Sequence, residues 1–184
     1  METGEIKMKM EAFDIVSLID ETVEQIEPIA LSNKINVSVV KKDWKSVIVL
    51  ADYYRIFQVL KNLLSNAIKY SEDNSTIEIQ IEKRKKVVNL SVVDSGIGIP
   101  KNDRKRIFER FYRIDKSRSK KKGGTGLGLA IVKHIIEGHK TKIKLKSKLN
   151  HGSRFSFNLK LAPNKKRKKK SLRKILKKQE VASL

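Results

Sequence analysis

The sequence predicts an α+β domain: an α/β sandwich whose mixed, mostly antiparallel sheet packs against about three helices on one face. Three observations lead there. The segment Asp52 to Tyr70 is strongly amphipathic at the helical period. The alternating apolar segments come in adjacent pairs, which reads as hairpins. Helices are separated by those pairs without regular strand-helix-strand alternation, which disfavours a doubly wound parallel sheet.

Taken in order, Phe13 to Asn33 carries Ile15, Leu18, Ile19, Val23, Ile26, Ile29 and Ala30 near the helical period, predicting a first helix with Pro28 as a kink or late-turn feature. Ile35 to Val40 alternates and predicts a strand; Val47 to Ala51 is a second, ending at Asp52, a residue placed to cap the next helix. In that Asp52 helix, Ile56, Val59, Leu60, Leu63, Leu64, Ala67 and Ile68 form the apolar face. A hairpin comes next, with strands near Thr76 to Glu82 and Val87 to Asp94, closed by "SGIGIP". Asp103 to Phe111 has short helical character, and Tyr112 to Gly124 is a basic loop. Gly126 to Glu137 returns to helix with Leu127, Ile131 and Ile135 four apart, and two strands, Thr141 to Ser147 and Ser153 to Leu161, close the domain.

The 184 residues suit one domain, expected over 1–162. With 42 Lys and Arg against 20 Asp and Glu, the charge of +22 predicts attraction to polyanions without saying which. The charge is uneven, because 163–184 holds ten basic residues and one Glu. That tail reads as a solvated, disordered extension. Its competing reading is contact with an anionic membrane through Leu172, Ile175 and Leu176. Nucleic acid is disfavoured for want of interleaved aromatics. No cysteine is present, so disulfides and thiolate metal sites are excluded. No leader pattern or membrane-length apolar run occurs, and the expected setting is the cytoplasm.

Three segments carry candidate chemistry. Gly124, Gly126 and Gly128 in "KKKGGTGLGLAIVKH" lie two apart, which fits neither the P-loop nor the Rossmann spacing. Such glycines can still bring backbone N–H groups to an anion at a helix start, or serve as a hinge into that helix. On the Asp52 helix, Arg55, Gln58, Asn62, Asn66 and Lys69 fall within an arc of about 80°. This is either a solvated face or a row of amide oxygens and cations suited to Mg²⁺ and phosphate. In "DSGIGIP", Asp94 either makes a turn or presents a carboxylate to a base edge beside glycines that admit a ring. His134, His139 and His151 lack metal-ligand spacing and read as structural or exposed.

In order, "QVLKNLLSNAIKYS", "DSGIGIP", "IFERFYRIDKSRS" and "GGTGLGLAIVKHI" resemble the N, G1, F and G2 boxes of the catalytic and ATP-binding domain of sensor histidine kinases, members of the GHKL superfamily. The lid wording "RFYRIDKSRS" is most similar to the phosphate-sensor type, and the resemblance covers about residues 5 to 162. It implies a Bergerat fold with a mobile ATP lid. It also implies that Asp94 accepts from the adenine amino group, with Gly96 and Gly98 allowing close approach of the base and Tyr70 flanking it. Asn66 would ligate Mg²⁺, Asn62 and Lys69 would lie by the phosphates, and Arg113 would reach the γ-phosphate from the lid. Gly124, Gly126 and Gly128 would seat the phosphates, and Ile99, Thr125, Leu127 and Leu129 complete the implied contact set.

The implied reaction is transfer of the ATP γ-phosphate to a histidine on a dimerising helical hairpin, and through it to a response regulator in a two-component system. Gyrase-like relatives that hydrolyse ATP carry a glutamate where Asn62 stands; an amide cannot accept a proton, so slow hydrolysis is expected. No histidine precedes His134, so the hairpin is expected to be supplied elsewhere in a longer chain or by another chain, and the domain alone to be monomeric. The alternative is a regulatory ATP-binding module without kinase activity of its own. The related anti-sigma serine kinases have less similar boxes. "EGHKTKI" stands where the family commonly has a His-Gly-Gly turn, so Lys140 and Thr141 replace the glycines, which puts the local turn in question.

Overall fold

The computed structural model describes residues 7–41, 45–114 and 125–163. A short strand β1 (Glu11–Asp14) leads into helix α1 (Ile15–Ser32), followed by β2 (Asn36–Val40) and β3 (Ile48–Ala51). Helix α2 (Tyr53–Tyr70) precedes the hairpin β4 (Thr76–Lys83) and β5 (Val87–Asp94). After a 3-10 turn at Arg106–Phe108 come helix α3 (Gly128–Gly138), β6 (Lys144–Ser147) and β7 (Ser153–Leu161). The predicted helix around Asp103 to Phe111 is only this single turn. The first predicted helix starts two residues late, because Phe13 pairs with Val49 in the sheet.

The strands form one sheet in the order β1-β3-β7-β5-β4-β2, with β6 also paired to β7. Only β2 with β4 is parallel among the described pairings. Alternation directs Ile77, Ile79, Ile81, Val88, Leu90, Val92, Phe155, Phe157 and Leu159 to the helix side, where all are buried. The opposite side is roofed by polar side chains. Arg154 donates to Gln80 and Ser91, and Asn89 to Asn158, which leaves Ser91 1% exposed.

The helix starts follow from capping. Asp14 Oδ1 accepts from the N–H groups of Val16 (3.0 Å) and Val47 (2.9 Å), tying α1 to the strand beside it. Burial alone would push the Asp14 carboxyl up; these bonds, with others from Ser46 and Ser17, bring it below its ordinary value. Asp52 caps α2 by accepting from the Arg55 N–H, as the sequence predicts. The seven apolar residues expected on α2 are the seven it buries. Pro28 lies within α1 near its end.

Candidate nucleotide site

Four segments far apart in sequence meet at the C-terminal half of α2. Asn62, Asn66 and Lys69 are half-buried on one side of it, and Tyr70 ends it, 37% exposed. Upstream on the same stripe, Arg55 and Gln58 bond to each other (3.2 Å). Gly128, the first residue of α3, faces the two asparagines: a methyl placed there would lie 3.5 Å from Asn62 Oδ1 and 3.9 Å from Asn66 Nδ2. The start of a helix, with its unbonded N–H groups and positive dipole end, is thus directed toward a pair of amides. Thr125, Gly126 and Leu127 lead into it, and Leu129 is half-buried within it. Gly124 lies outside the described residues, as do most of the predicted lid and the basic tail after Pro163.

The loop before α3 is fastened to the segment after the 3-10 turn, where the Phe111 N–H donates to the Gly126 carbonyl at 3.0 Å. Tyr112 donates to Asp103 at 2.6 Å and carries the Arg106 guanidinium over its ring. Arg113 follows. Its Nη2 is buried with no hydrogen-bond partner among the described residues, and Ser71 Oγ is likewise orphaned. Burial pushes the Tyr70 hydroxyl above its ordinary value, with the Arg113 cation pulling the other way, so the two side chains sit in one field. Lys69 Nζ stands 5.3 Å from the centre of the Tyr70 ring.

Asp94 stands at the end of β5. Its Oδ1 accepts from the N–H groups of Gly96 (3.0 Å) and Ser153 (3.2 Å), and among the described residues nothing donates to Oδ2. Burial pushes its carboxyl above the usual aspartate range against the pull of those two bonds.

The glycines after Asp94 have a role the sequence reading did not anticipate. A side chain at Gly96 would collide with the Tyr70 carbonyl at 2.2 Å, and one at Gly98 with the Lys148 carbonyl at 2.0 Å. Gly98 also has φ +65°, a left-handed conformation. The close approach they permit here is of the protein's own backbone. The Ile97 N–H bonds to Tyr70 O (3.2 Å), the Asn150 N–H to Ile97 O (2.8 Å), and the Ile99 N–H to Ser147 Oγ (2.8 Å). The loop is therefore clamped between the end of α2 and the β6–β7 hairpin.

Ser147, Ser153 and Ser71 escaped the sequence reading. Only strand pairing, Asp94 opposite Ser153, brings the second there, and no spacing signal announces it. Of the histidines, His134 and His151 are exposed, while His139 is buried.

Residues 51–163 match the family of histidine kinase-, DNA gyrase B- and HSP90-like ATPases. Over 150 residues the chain is 39% identical to the sensor-like histidine kinase SenX3 of Mycolicibacterium smegmatis, covering 82% of this chain and 38% of that relative. Relatives of this kind support the phosphate-sensor type indicated by the lid wording. Among solved structures, full-length ShkA in complex with AMPPNP superposes with TM-score 0.76 at 28% identity, over 88% of this chain and 33% of ShkA. The catalytic domain of histidine kinase ThkA superposes with TM-score 0.73 at 34% identity, over 85% of this chain and 100% of that domain. On the sheet-and-helix sandwich these structures share, with described residues of the boxes meeting at α2, the chain belongs to the histidine kinase-type ATPases and is a catalytic, ATP-binding domain of a sensor histidine kinase.

Proposed function

We propose that this domain binds Mg-ATP in the cleft between α2, α3 and the Asp94 loop, and delivers the γ-phosphoryl group to a histidine on a helical hairpin. The observation that carries the reading is the meeting of the α3 N-terminus with Asn62 and Asn66, with the half-buried Arg113 near Tyr70, its Nη2 buried and lacking a partner among the described residues. A buried N–H group without an acceptor is costly, and an anionic ligand would relieve that cost.

The donor set fits a magnesium nucleotide. Asn66 would hold Mg²⁺ through its amide oxygen together with phosphate oxygens and water. When bound, the metal neutralises phosphate charge and orients the γ-phosphoryl group. The chain's own groups do the rest. Asp94 Oδ2 accepts from the exocyclic amino group of adenine while Oδ1 stays fixed by Gly96 and Ser153. Tyr70 flanks the base, with Ile99 in the loop beside it. Lys69 and Arg113 balance phosphate charge, and Thr125 to Leu129, with Gly124 before them, present backbone N–H groups. In the transfer, the bond between γ-phosphorus and the bridging oxygen breaks and a phosphorus–nitrogen bond to imidazole forms. ADP leaves with the electron pair, and the imidazole proton passes to a base on the hairpin or to water. Asn62 cannot deprotonate water, so transfer outpaces hydrolysis.

The acceptor hairpin, in cis or in trans, and a response regulator beyond it are the proposed partners. The setting proposed is the cytoplasmic side, and no helix among the described residues is long and apolar enough to cross a membrane. The test supplies a histidine-bearing hairpin with labelled ATP and reads acid-labile phosphohistidine. Mg-ATP binding without any phosphohistidine would leave only a regulatory module, and steady ATPase turnover at a gyrase-like rate would overturn the role of Asn62.

A further inference from the structure

Helices α2 and α3 run antiparallel and meet near both ends of α3. At one end Gly128 faces Asn62 and Asn66. At the other, the α3 C-cap residue His139 meets the α2 N-cap residue Asp52, and its Nε2 accepts from the Asp52 N–H at 2.9 Å. Nδ1 is then the donor, to the Ile135 carbonyl at 2.8 Å, so both ring nitrogens are engaged in a side chain that is 7% exposed. Asp52 is itself held by the Lys9 N–H on Oδ2 (2.8 Å) and the Arg55 N–H on Oδ1 (3.1 Å).

The two contacts are matched in length. Asp52 to Asn62 spans about 15 Å of helix and Gly128 to His139 about 16 Å at the helical rise. Sliding α3 by one residue's rise would displace Gly128 from the asparagines by about 1.5 Å and would break the His139 bond. The close-packed side chains of Val132, Ile135 and Ile136 oppose such a slide as well. The hydrogen bond is directional and resists it strongly. The buried Asp52 N–H also depends on the imidazole as its acceptor.

We infer that His139 is a positioning residue for the phosphate end of the nucleotide site: by fixing the α3 C-terminus to the Asp52 N–H, it sets where the α3 N-terminus sits over Asn62 and Asn66. This rests on the nucleotide reading above. The consequence is a side chain at the far end of α3 that controls affinity for phosphate and leaves affinity for the base alone.

An isosteric pair in the full chain tests it. Gln at 139 reaches as far as Nε2 with an amide oxygen; Met fills the same space without an acceptor. Competition against a fluorescent nucleotide reads Kd for Mg-ATP and for adenosine. His139→Met is expected to weaken Mg-ATP about tenfold and adenosine less than about twofold, with His139→Gln recovering most of the loss. A merely structural role lowers both affinities together, or only the melting temperature, and either result overturns the proposal. If the unmodified chain binds no Mg-ATP, the nucleotide reading falls and this proposal with it. If it binds and the ratio of affinities stays put in His139→Met, this proposal alone falls. Amide exchange on the unmodified chain gives a check that needs no variant: the Asp52 amide is expected to exchange as slowly as the core amides of α3, and fast exchange overturns the clasp.

Discussion

The two ends of the cleft are built by different means. At the Asp94 end, backbone packs on backbone, and a single added carbon at Gly96 or Gly98 would lie 2.2 Å or 2.0 Å from a carbonyl oxygen. At the asparagine end, side chains face a helix start, and the same carbon at Gly128 would find ordinary contact at 3.5 Å. The backbone of the first end is part of the fold, and no side chain can be added at Gly96 or Gly98 without altering it. The second is a set of side chains laid on an existing core, where binding can change while the fold persists. On the proposed reading, the end that would recognise a rigid base gains from backbone rigidity, and the end that would meet phosphates needs room to adjust.

The contrast is open to direct attack, beginning with the largest expected effect. Gly98→Ala should destabilise the domain by about 3 kcal/mol or more, from the carbonyl collision and the left-handed φ, read as a fall in the denaturation midpoint. A near-normal midpoint would break the comparison at its stronger end.

Next, Asp94→Asn should weaken ATP about 100-fold by placing an N–H₂ where Oδ2 would accept from the base. The free protein should become slightly more stable. Because burial raises the folded pKa of Asp94 above its unfolded value, the ionised carboxylate costs stability above that folded pKa, and the cost fades as pH falls through it. ATP affinity, which on the proposed reading needs the carboxylate, should fall over the same descent, starting above the ordinary aspartate range. Asp94→Asn should abolish this acid limb, and a limb that survives in the variant would point to another group.

Smaller again, Gly128→Ala should raise stability by up to about 1 kcal/mol, since alanine favours helix over glycine. It should also weaken ATP several-fold by crowding the space before Asn62, as isothermal titration would show. Smallest, Lys140→Gly should add about 0.5–1 kcal/mol by relieving a lysine at φ +58° just past the α3 C-cap, with ATP affinity unchanged. Lys140 adopts the conformation that glycine would supply, so the turn expected to suffer from the missing glycines keeps its shape at an energetic cost.

Much of the fold was legible beforehand because local patterns were strong. The α2 apolar face, its Asp52 cap and the β4–β5 hairpin each follow from a period or a cap within a few residues. The boundaries that slipped were those that neighbours decide. Phe13 looks helical by spacing and is a strand residue because β3 offers it an edge. On α3 the expected Leu127–Ile131–Ile135 row gives way to burial of Val132, Ile135 and Ile136, because α2 sets which side faces inward. The close approach at Gly96 and Gly98 was expected to be to a ligand, and the structure shows backbone there. Sequence spacing records that a side chain is excluded and is silent about what excludes it.

The sequence by itself determined the family and the sandwich of helices on a mostly antiparallel sheet, and it marked four segments as candidates for the chemistry, because boxes, caps and periods act over short stretches of chain. Tertiary structure alone decided that Gly128 stands against Asn62 and Asn66, that Ser153 steadies Asp94, and that His139 joins α3 to the Asp52 N–H. The last two of these contacts are hydrogen bonds between residues 59 and 87 positions apart. Such pairs are set by how the sheet orders its strands and how two helices share one core, and no local period encodes either.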